Sequence, residues 1–128
     1  MELANLDILG VSVGLDAGEI SASNLLAQQL ANIERRGATL NCYVEIDAAG
    51  AERSAEMSDL LRQRGEVLSP LAGVPVALKD NIDALGMATR NGSKYSHSVF
   101  GDATVSAALR AAGAIILGKV NMDECAIG

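Results

Sequence analysis

Residues 71–83 read LAGVPVALKDNID, an apolar run that ends at a lysine. Three apolar side chains alternate along the run and are predicted to share one face of a β-strand: Val74, Val76 and Leu78. Lys79 closes the strand, and the polar residues Asp80 and Asn81 follow it. A lysine in this position, with polar neighbours to hold its ammonium group, is a candidate base.

A lysine must meet a physical demand to act as a base. An ordinary lysine, with a pKa near 10.4, is neutral in only about one molecule in a thousand at about pH 7.4, and forming the neutral amine there costs roughly 4 kcal/mol of free energy. Burial or nearby positive charge favours the neutral amine. Asp80 would oppose that change if it faced the amine of Lys79. Strand alternation predicts that the Asp80 side chain points away from it.

The second half of the chain predicts an alternation of strand, helix and strand. Asp102 is a candidate N-cap for a helix that runs to about Ala112. Four residues are expected on its buried side: Val105, Ala108, Leu109 and Ala112. Gly113 ends this helix, and the apolar residues 114–117 are typical of a strand covered on both faces. This order is that of an α/β protein.

The first half is predicted to be mainly helical, with two helical pieces in the first forty residues. The second piece begins near Ser21 or Ser23, whose hydroxyls can accept hydrogen bonds from the first turn, and ends at Gly37. A short strand or extended linker and a further helix follow, over residues 41–46 and 48–64. Ser69-Pro70 then breaks the chain before the lysine strand.

Composition restricts the class of protein. The chain has 128 residues, a formal net charge of -6 and 49% hydrophobic residues, which suits one domain with its own core. The acidic balance argues against direct nucleic-acid binding by this chain, because such binding neutralises phosphates with Lys and Arg.

No apolar run approaches the roughly 18 residues of a membrane span, and the acidic Met1-Glu2 start is unlike a signal peptide. We expect a cytoplasmic protein without membrane contact.

The two cysteines indicate neither a zinc site nor a redox motif. Cys42 and Cys125 are far apart and form no Cys-x-x-Cys pair. We expect both to be reduced, small and buried.

Three stretches, in this order, resemble the amidase signature family: GVPVALKDNID (73–83), TRNGSK (89–94) and ATVSAALRAAGAIILGKVNMDE (103–124). Within the family, NMDE (121–124) and ISASNLLAQQL (20–30) look most like the A subunits of glutamyl-tRNA(Gln)/aspartyl-tRNA(Asn) amidotransferases. The resemblance implies an α/β fold with helices packed on a mixed β-sheet core. Residues 1–128 would form the N-terminal portion of a single amidase domain, with a mainly helical entry segment (1–68) and the start of the α/β core (69–128).

The resemblance implies a hydrolase with a triad of a serine, a second serine on a cis peptide bond and a lysine. Lys79 matches the catalytic lysine. Both serines of the family lie in a later Gly/Ser-rich segment that is absent from this chain, so the chain alone is expected to be inactive. The parent would hydrolyse glutamine or another amide, and other amidotransferase subunits would use the ammonia to amidate Glu-tRNA(Gln) or Asp-tRNA(Asn). No cofactor or metal is implied.

Two alternatives to the amidotransferase remain open at this point. The chain could be a noncatalytic, truncated folding or interaction unit, or its parent could be a general small-amide amidase. The substrate-binding residues cannot be named from this portion of the chain.

Other polar residues are weaker candidates for a functional role. Four small residues could line a pocket or make a turn: Thr89, Asn91, Gly92 and Ser93. Structural hydrogen bonding is the favoured role for Ser93. His97 is expected to be an exposed loop residue, because its neighbours Ser96 and Ser98 are poorly aimed for proton transfer.

The end of the chain contains two motifs that resemble ligand-binding sites, and we favour a structural role for both. GAIILGKV (113–120) nearly spells a phosphate-binding loop, but Val120 has no hydroxyl for magnesium and the run between the glycines is an apolar strand. Asn121, Asp123 and Glu124 are predicted to cap a following helix, in preference to binding a metal. Lys119 and Asn121 are candidates for a supporting role near Lys79.

Overall fold

The computed structural model describes residues 6–128. In this range the chain forms four α-helices, three β-strands and a short 3-10 turn. In chain order they are α1 (Ile8–Asp16), α2 (Ala22–Leu40), β1 (Tyr43–Ile46), α3 (Ala48–Gln63), β2 (Pro75–Lys79), α4 (Thr104–Ala111), β3 (Ile115–Val120) and the 3-10 turn (Glu124–Ala126).

The three strands form one mixed sheet in the order β1-β3-β2. The central strand β3 pairs antiparallel with β1 and parallel with β2. The parallel pair is joined by a crossover that contains α4. The fold is therefore α/β with helices on a mixed sheet, which confirms the expected fold class.

Two apolar clusters cover the two faces of the sheet. The larger cluster joins α1, α2 and α3 to one face and includes ten buried residues: Val11, Leu15, Ala22, Leu25, Leu26, Ala51, Ala55, Val74, Ile115 and Leu117. The smaller cluster lies on the other face, under the segment that follows β2, and includes Leu78, Ala84, Met87 and Ile116. The apolar run of β3 contributes to both clusters, as expected of a strand covered on both faces.

The predicted common face of the lysine strand is wrong. Val74 belongs to the larger cluster and Leu78 to the smaller one, on the opposite face. A register shift between Val76 and Ala77 in the pairing of β2 with β3 explains the change. An irregularity of this kind interrupts the simple alternation of side chains that the sequence suggested.

Helix α2 begins as predicted but ends later. The hydroxyl of Ser21 accepts a hydrogen bond from the amide of Asn24 at 3.1 Å and caps the helix. The helix continues past Gly37, and the chain leaves it at Asn41, which has φ 48° and donates its amide to the carbonyl of Gly37. Asparagine tolerates this left-handed conformation, so it replaces the expected glycine stop.

The predictions for α4 need two corrections. Ala103, and not Asp102, precedes the helix, and it makes no side-chain capping bond. The Asp102 carboxylate instead accepts a hydrogen bond from the amide of Leu85 at 2.7 Å and pairs with Arg110 at 3.0 Å. Ser106 is the buried residue of this helix, whereas Val105 is 47% exposed. A helix of eight residues packed along one narrow stripe buries few side chains.

The expectation that the cysteines are buried is also wrong. Cys42 and Cys125 are both free and exposed. Cys42 lies between α2 and β1, and Cys125 lies in the 3-10 turn, so neither belongs to an element with an inward face. None of the helices within residues 6–128 is both long enough and apolar enough to cross a membrane.

Candidate active site

The candidate site lies at the edge of the sheet where β2 and β3 end. Because these strands are parallel, their carboxyl ends meet, and Lys79 is the register partner of Val120. The amide of Asp80 extends the pairing by donating to the carbonyl of Val120 at 3.1 Å. The polar residues that follow both strands are thereby brought to one edge.

Lys79 and Asp80 face opposite ways at this edge. Lys79 is exposed, whereas Asp80 has no exposed surface. Within residues 6–128, Lys79 has no ion-pair partner, and the partner of the Asp80 carboxylate is Lys119. Asp80 thus points away from Lys79, as strand alternation predicted.

Lys119 is a fully buried cation. Its Nζ atom lies 3.4 Å from Oδ1 of Asp80, and both side chains are essentially without solvent contact. Nζ also donates to the hydroxyl of Thr89 at 3.2 Å and to the carbonyl of Ala88 at 3.5 Å. The sequence suggested only a supporting role for this residue, and its one signal was a lysine inside an otherwise apolar strand.

The contact between Lys119 and Asp80 is an ion pair and not a hydrogen bond. Neither carboxylate oxygen of Asp80 accepts a hydrogen bond from any residue that the structure describes. A buried carboxylate without such donors depends on its counter-charge, because burial strongly disfavours an isolated ion. Lys119 is therefore the group that makes the buried charge of Asp80 tolerable.

A chain of polar contacts runs from Lys119 to the surface. The hydroxyl of Thr89 donates to Oδ1 of Asp83 at 2.7 Å, and Nε2 of His97 lies 3.2 Å from the same oxygen. The hydrogen bond from Thr89 is the main cause that lowers the pKa of Asp83, and His97 lowers it further. His97 is exposed, as predicted, but its contact with Asp83 was not foreseen from sequence.

The TRNGSK segment (89–94) is a structural clamp over the sheet. Arg90 pairs with Glu45 of β1 at 2.7 Å. Gly92 has φ 74°, and a Cβ atom there would lie 2.7 Å from the carbonyl oxygens of Met122 and Asp123. The hydroxyl oxygen of Ser93 lies 2.9 Å from the carbonyl oxygen of Arg90 and 3.0 Å from that of Tyr95, and its one proton can be donated to either. These contacts favour the structural role of Ser93 over a nucleophilic one.

The end of the chain offers neither a phosphate loop nor a metal cluster. Residues 115–120 form strand β3, and the lysine of the near-match, Lys119, is buried within the sheet. Residues 6–128 contain no group of three His, Cys, Asp or Glu side chains that could hold a metal ion. The predicted capping is wrong, because the Asp123 side chain makes no capping bond to the 3-10 turn. Asn121 accepts a hydrogen bond from the amide of Met122.

Comparison with known proteins decides the family. The model of the Amidase family matches residues 24–128. The chain belongs to the amidase family.

Among curated members, the A subunit of the glutamyl-tRNA(Gln) amidotransferase of Rhodopirellula baltica is 43% identical over 116 residues, which are 89% of this chain and 23% of that protein. Its counterpart in Streptomyces coelicolor is 39% identical over 99% of this chain and 26% of its own length. The chain thus spans about a quarter of the curated relatives it matches.

Solved structures of amidases have the same fold in this region. A peptide amidase in complex with the competitive inhibitor chymostatin has a TM-score of 0.90 and is 34% identical, over 97% of this chain and 26% of its own. A bacterial aryl acylamidase of the amidase signature enzymes has a TM-score of 0.85 at 20% identity, over 94% of this chain and 26% of its own. The second likeness shows only the fold.

Proposed function

We propose that this chain forms the lysine-bearing portion of an amidase that hydrolyses glutamine and supplies ammonia for the amidation of Glu-tRNA(Gln) or Asp-tRNA(Asn). Lys79 is the base of the proposed site. The observation that carries the proposal is its position: Lys79 ends β2 and has no ion-pair partner within residues 6–128. Its side chain is exposed in this portion of the chain, so in this proposal the remainder of the amidase supplies the burial that favours the neutral amine.

This position leaves the amine available to a reacting group. The carboxylate next to it in sequence, Asp80, is held in the interior by Lys119, 3.4 Å away. An amine that is not engaged by a carboxylate loses its proton more readily. It could then accept a proton, through a bridging serine, from the hydroxyl of a nucleophilic serine.

In this proposal both serine hydroxyls come from a Gly/Ser-rich segment outside residues 1–128. The acyl group of glutamine would be transferred to the nucleophilic serine with release of ammonia, and water would then release glutamate. Other amidotransferase subunits would receive the ammonia and make the contacts with tRNA, since this chain carries a net charge of -6. The chain alone would then hydrolyse no amide.

A chimera tests the role of Lys79. Residues 1–128 would replace the matching quarter of the Rhodopirellula baltica relative, and glutamine hydrolysis would be measured. We expect Lys79→Ala to lower kcat by about 10²- to 10⁴-fold, which is the usual contribution of a general base. Lys94→Ala, which removes an exposed lysine of the same chain, is the matched control and should leave kcat unchanged. Full activity of the Lys79→Ala chimera would refute the assignment.

The isolated chain gives a second test. A serine-directed fluorophosphonate probe should leave purified residues 1–128 unlabelled, because we place both reactive serines elsewhere. Labelling of this chain would show an activated serine and would contradict the proposal.

A general small-amide amidase is the second candidate function. It is favoured by the likeness to the peptide amidase structure, which is 34% identical over nearly the whole chain. The two candidates differ in substrate, so the chimera would be assayed on glutamine and on simple peptide amides. A folded but inactive chimera would instead favour a noncatalytic folding or interaction unit.

A further inference from the structure

Lys79 and Asp80 are neighbours in sequence, so their backbone atoms are close whatever their side chains do. The Asp80 carboxylate carries its charge in the interior, where charges interact more strongly than in water. Its oxygens accept no hydrogen bond within residues 6–128. The group that fixes the position and charge of Asp80 therefore sets the net charge next to Lys79 in the chain.

Lys119 is that group. It is fully buried, it contributes the positive charge at 3.4 Å from Asp80, and it is held in turn by Thr89 and Ala88. Its place on this face depends on the register of the sheet, in which Lys119 lies opposite Leu78 after the irregularity at Val76/Ala77. Lys119 and its contacts in the segment that follows β2, Ala88 and Thr89, thus lie on one side of β2, and Lys79 lies on the other.

We propose that Lys119 is a positioning residue that controls the proton affinity of the Lys79 amine by fixing and neutralising Asp80 on the opposite face of β2. The proposal rests on Lys79 being the base, as proposed above. With Lys119 present, Lys79 adjoins a neutral pair. Without it, Lys79 adjoins an uncompensated carboxylate, which favours the ammonium form and weakens the base.

The other charged groups around the pair are already engaged. On β1, Glu45 lies opposite Lys119 in the register but pairs with Arg90. In the segment that follows β2, Asp83 is bound by Thr89 and His97. Within residues 6–128, Asp80 is therefore the carboxylate whose sole counter-charge is Lys119.

Titration of the isolated chain tests this coupling without any turnover. The sequence has only three lysines, Lys79, Lys94 and Lys119, so their side-chain NMR signals can be resolved in ¹³C,¹⁵N-labelled protein. The titration midpoint of Lys79 would be followed in the natural chain, in Lys119→Met, in Asp80→Asn and in the double variant. Lys94, in an exposed loop, is the internal control.

In Lys119→Met we expect the Lys79 midpoint to rise by about 0.5 to 1 pH unit, less than the 1 to 3 units typical of a directly contacting charge. Adding Asp80→Asn should abolish this rise, because the carboxylate that causes it is gone. Asp80→Asn alone should lower the midpoint. Lys94 should not move in any variant.

An unchanged Lys79 midpoint in folded Lys119→Met, or a rise that persists in the double variant, would overturn the proposal. If Lys119→Met does not fold, Asp80→Asn decides the matter, since it replaces the carboxylate by a neutral group of the same shape. A midpoint that Asp80→Asn fails to lower would then refute the coupling. Because no catalysis is measured, failure here is distinct from failure of Lys79 in the chimera assay.

Discussion

Asp59 of α3 caps α2 at Ser23. Its carboxylate accepts hydrogen bonds from the Ser23 hydroxyl at 2.6 Å and the Ser23 amide at 3.1 Å, and from the amide of Ala22 at 2.7 Å. A negative charge at a helix N-terminus is favoured by the helix dipole. The contact joins α2 to α3 through two residues that are 36 positions apart in sequence.

Asp59→Ala should destabilise the chain by about 2 to 3 kcal/mol. The change removes three hydrogen bonds to a charged acceptor and leaves two amides of the first turn of α2 without this partner. The free energy of unfolding, measured by urea titration, checks the prediction. Glu56→Ala, on an exposed position of the same helix, should change it by less than about 0.5 kcal/mol. Equal effects of both substitutions would contradict the capping role.

Gly92→Ala should disrupt the clamp over the sheet. The residue has φ 74°, and the new Cβ would meet two carbonyl oxygens at 2.7 Å, so both the backbone conformation and the packing are opposed. We expect a loss of about 2 to 4 kcal/mol in the free energy of unfolding.

Gly18→Ala is the matched control for Gly92→Ala. Gly18 has a similar φ of 70°, but among the described residues 6–128 no atom lies within 4 Å of a new Cβ. Its substitution should cost only about 1 to 2 kcal/mol, which is the strain of the left-handed conformation. A loss at Gly92 no larger than the loss at Gly18 would show that the close approach to residues 122–123 is unimportant.

Thr89→Val should make the stability less dependent on acid pH. The Thr89 hydrogen bond is the main cause of the lowered pKa of Asp83. A carboxyl group with a lowered folded-state pKa contributes stability above its unfolded value, here near 3.8, and loses it as the pH falls through the folded value. Removing the hydroxyl raises the pKa of Asp83 towards its ordinary value, so this acid-dependent part shrinks.

Urea unfolding at a series of pH values between about 6 and 2.5 would measure the slope for the natural chain and for Thr89→Val. The absolute stability of the variant will also fall, because Thr89 contacts Lys119, so the slope below pH 4 is the informative quantity. His97→Ala should also reduce the slope, since His97 lowers the same pKa through a hydrogen bond and through its charge. An unchanged slope in Thr89→Val would contradict the prediction.

The isolated chain should self-associate at high concentration. Several large apolar side chains are strongly exposed, among them Val67 (100%) and Phe100 (94%). Strand β2 lies at one end of the described sheet and leaves its outer edge unpaired there. Sedimentation velocity over a range of concentrations and binding of a hydrophobic dye would test this. A monodisperse monomer that binds no dye would disprove it.

Local sequence rules determined the order of the elements and the place of Lys79. Apolar periodicity, capping residues and breaks such as Ser69-Pro70 act over a few neighbouring residues, so they can be interpreted without knowledge of the fold. The two N-terminal helices, the strand, helix and strand of the second half, and the separation of Lys79 from Asp80 all follow from such rules.

Only the tertiary structure decided which distant residues meet. Three features involve partners from different segments of the chain. The register of β2 against β3 is irregular and separates Val74 from Leu78. Asp80 pairs with Lys119, and Asp102 binds Leu85 and Arg110. Periodicity within one segment carries no information about its register against another. The burial of Lys119 is the clearest case: a lysine is ordinarily solvated, and it becomes an interior residue here because another strand end presents a carboxylate at 3.4 Å.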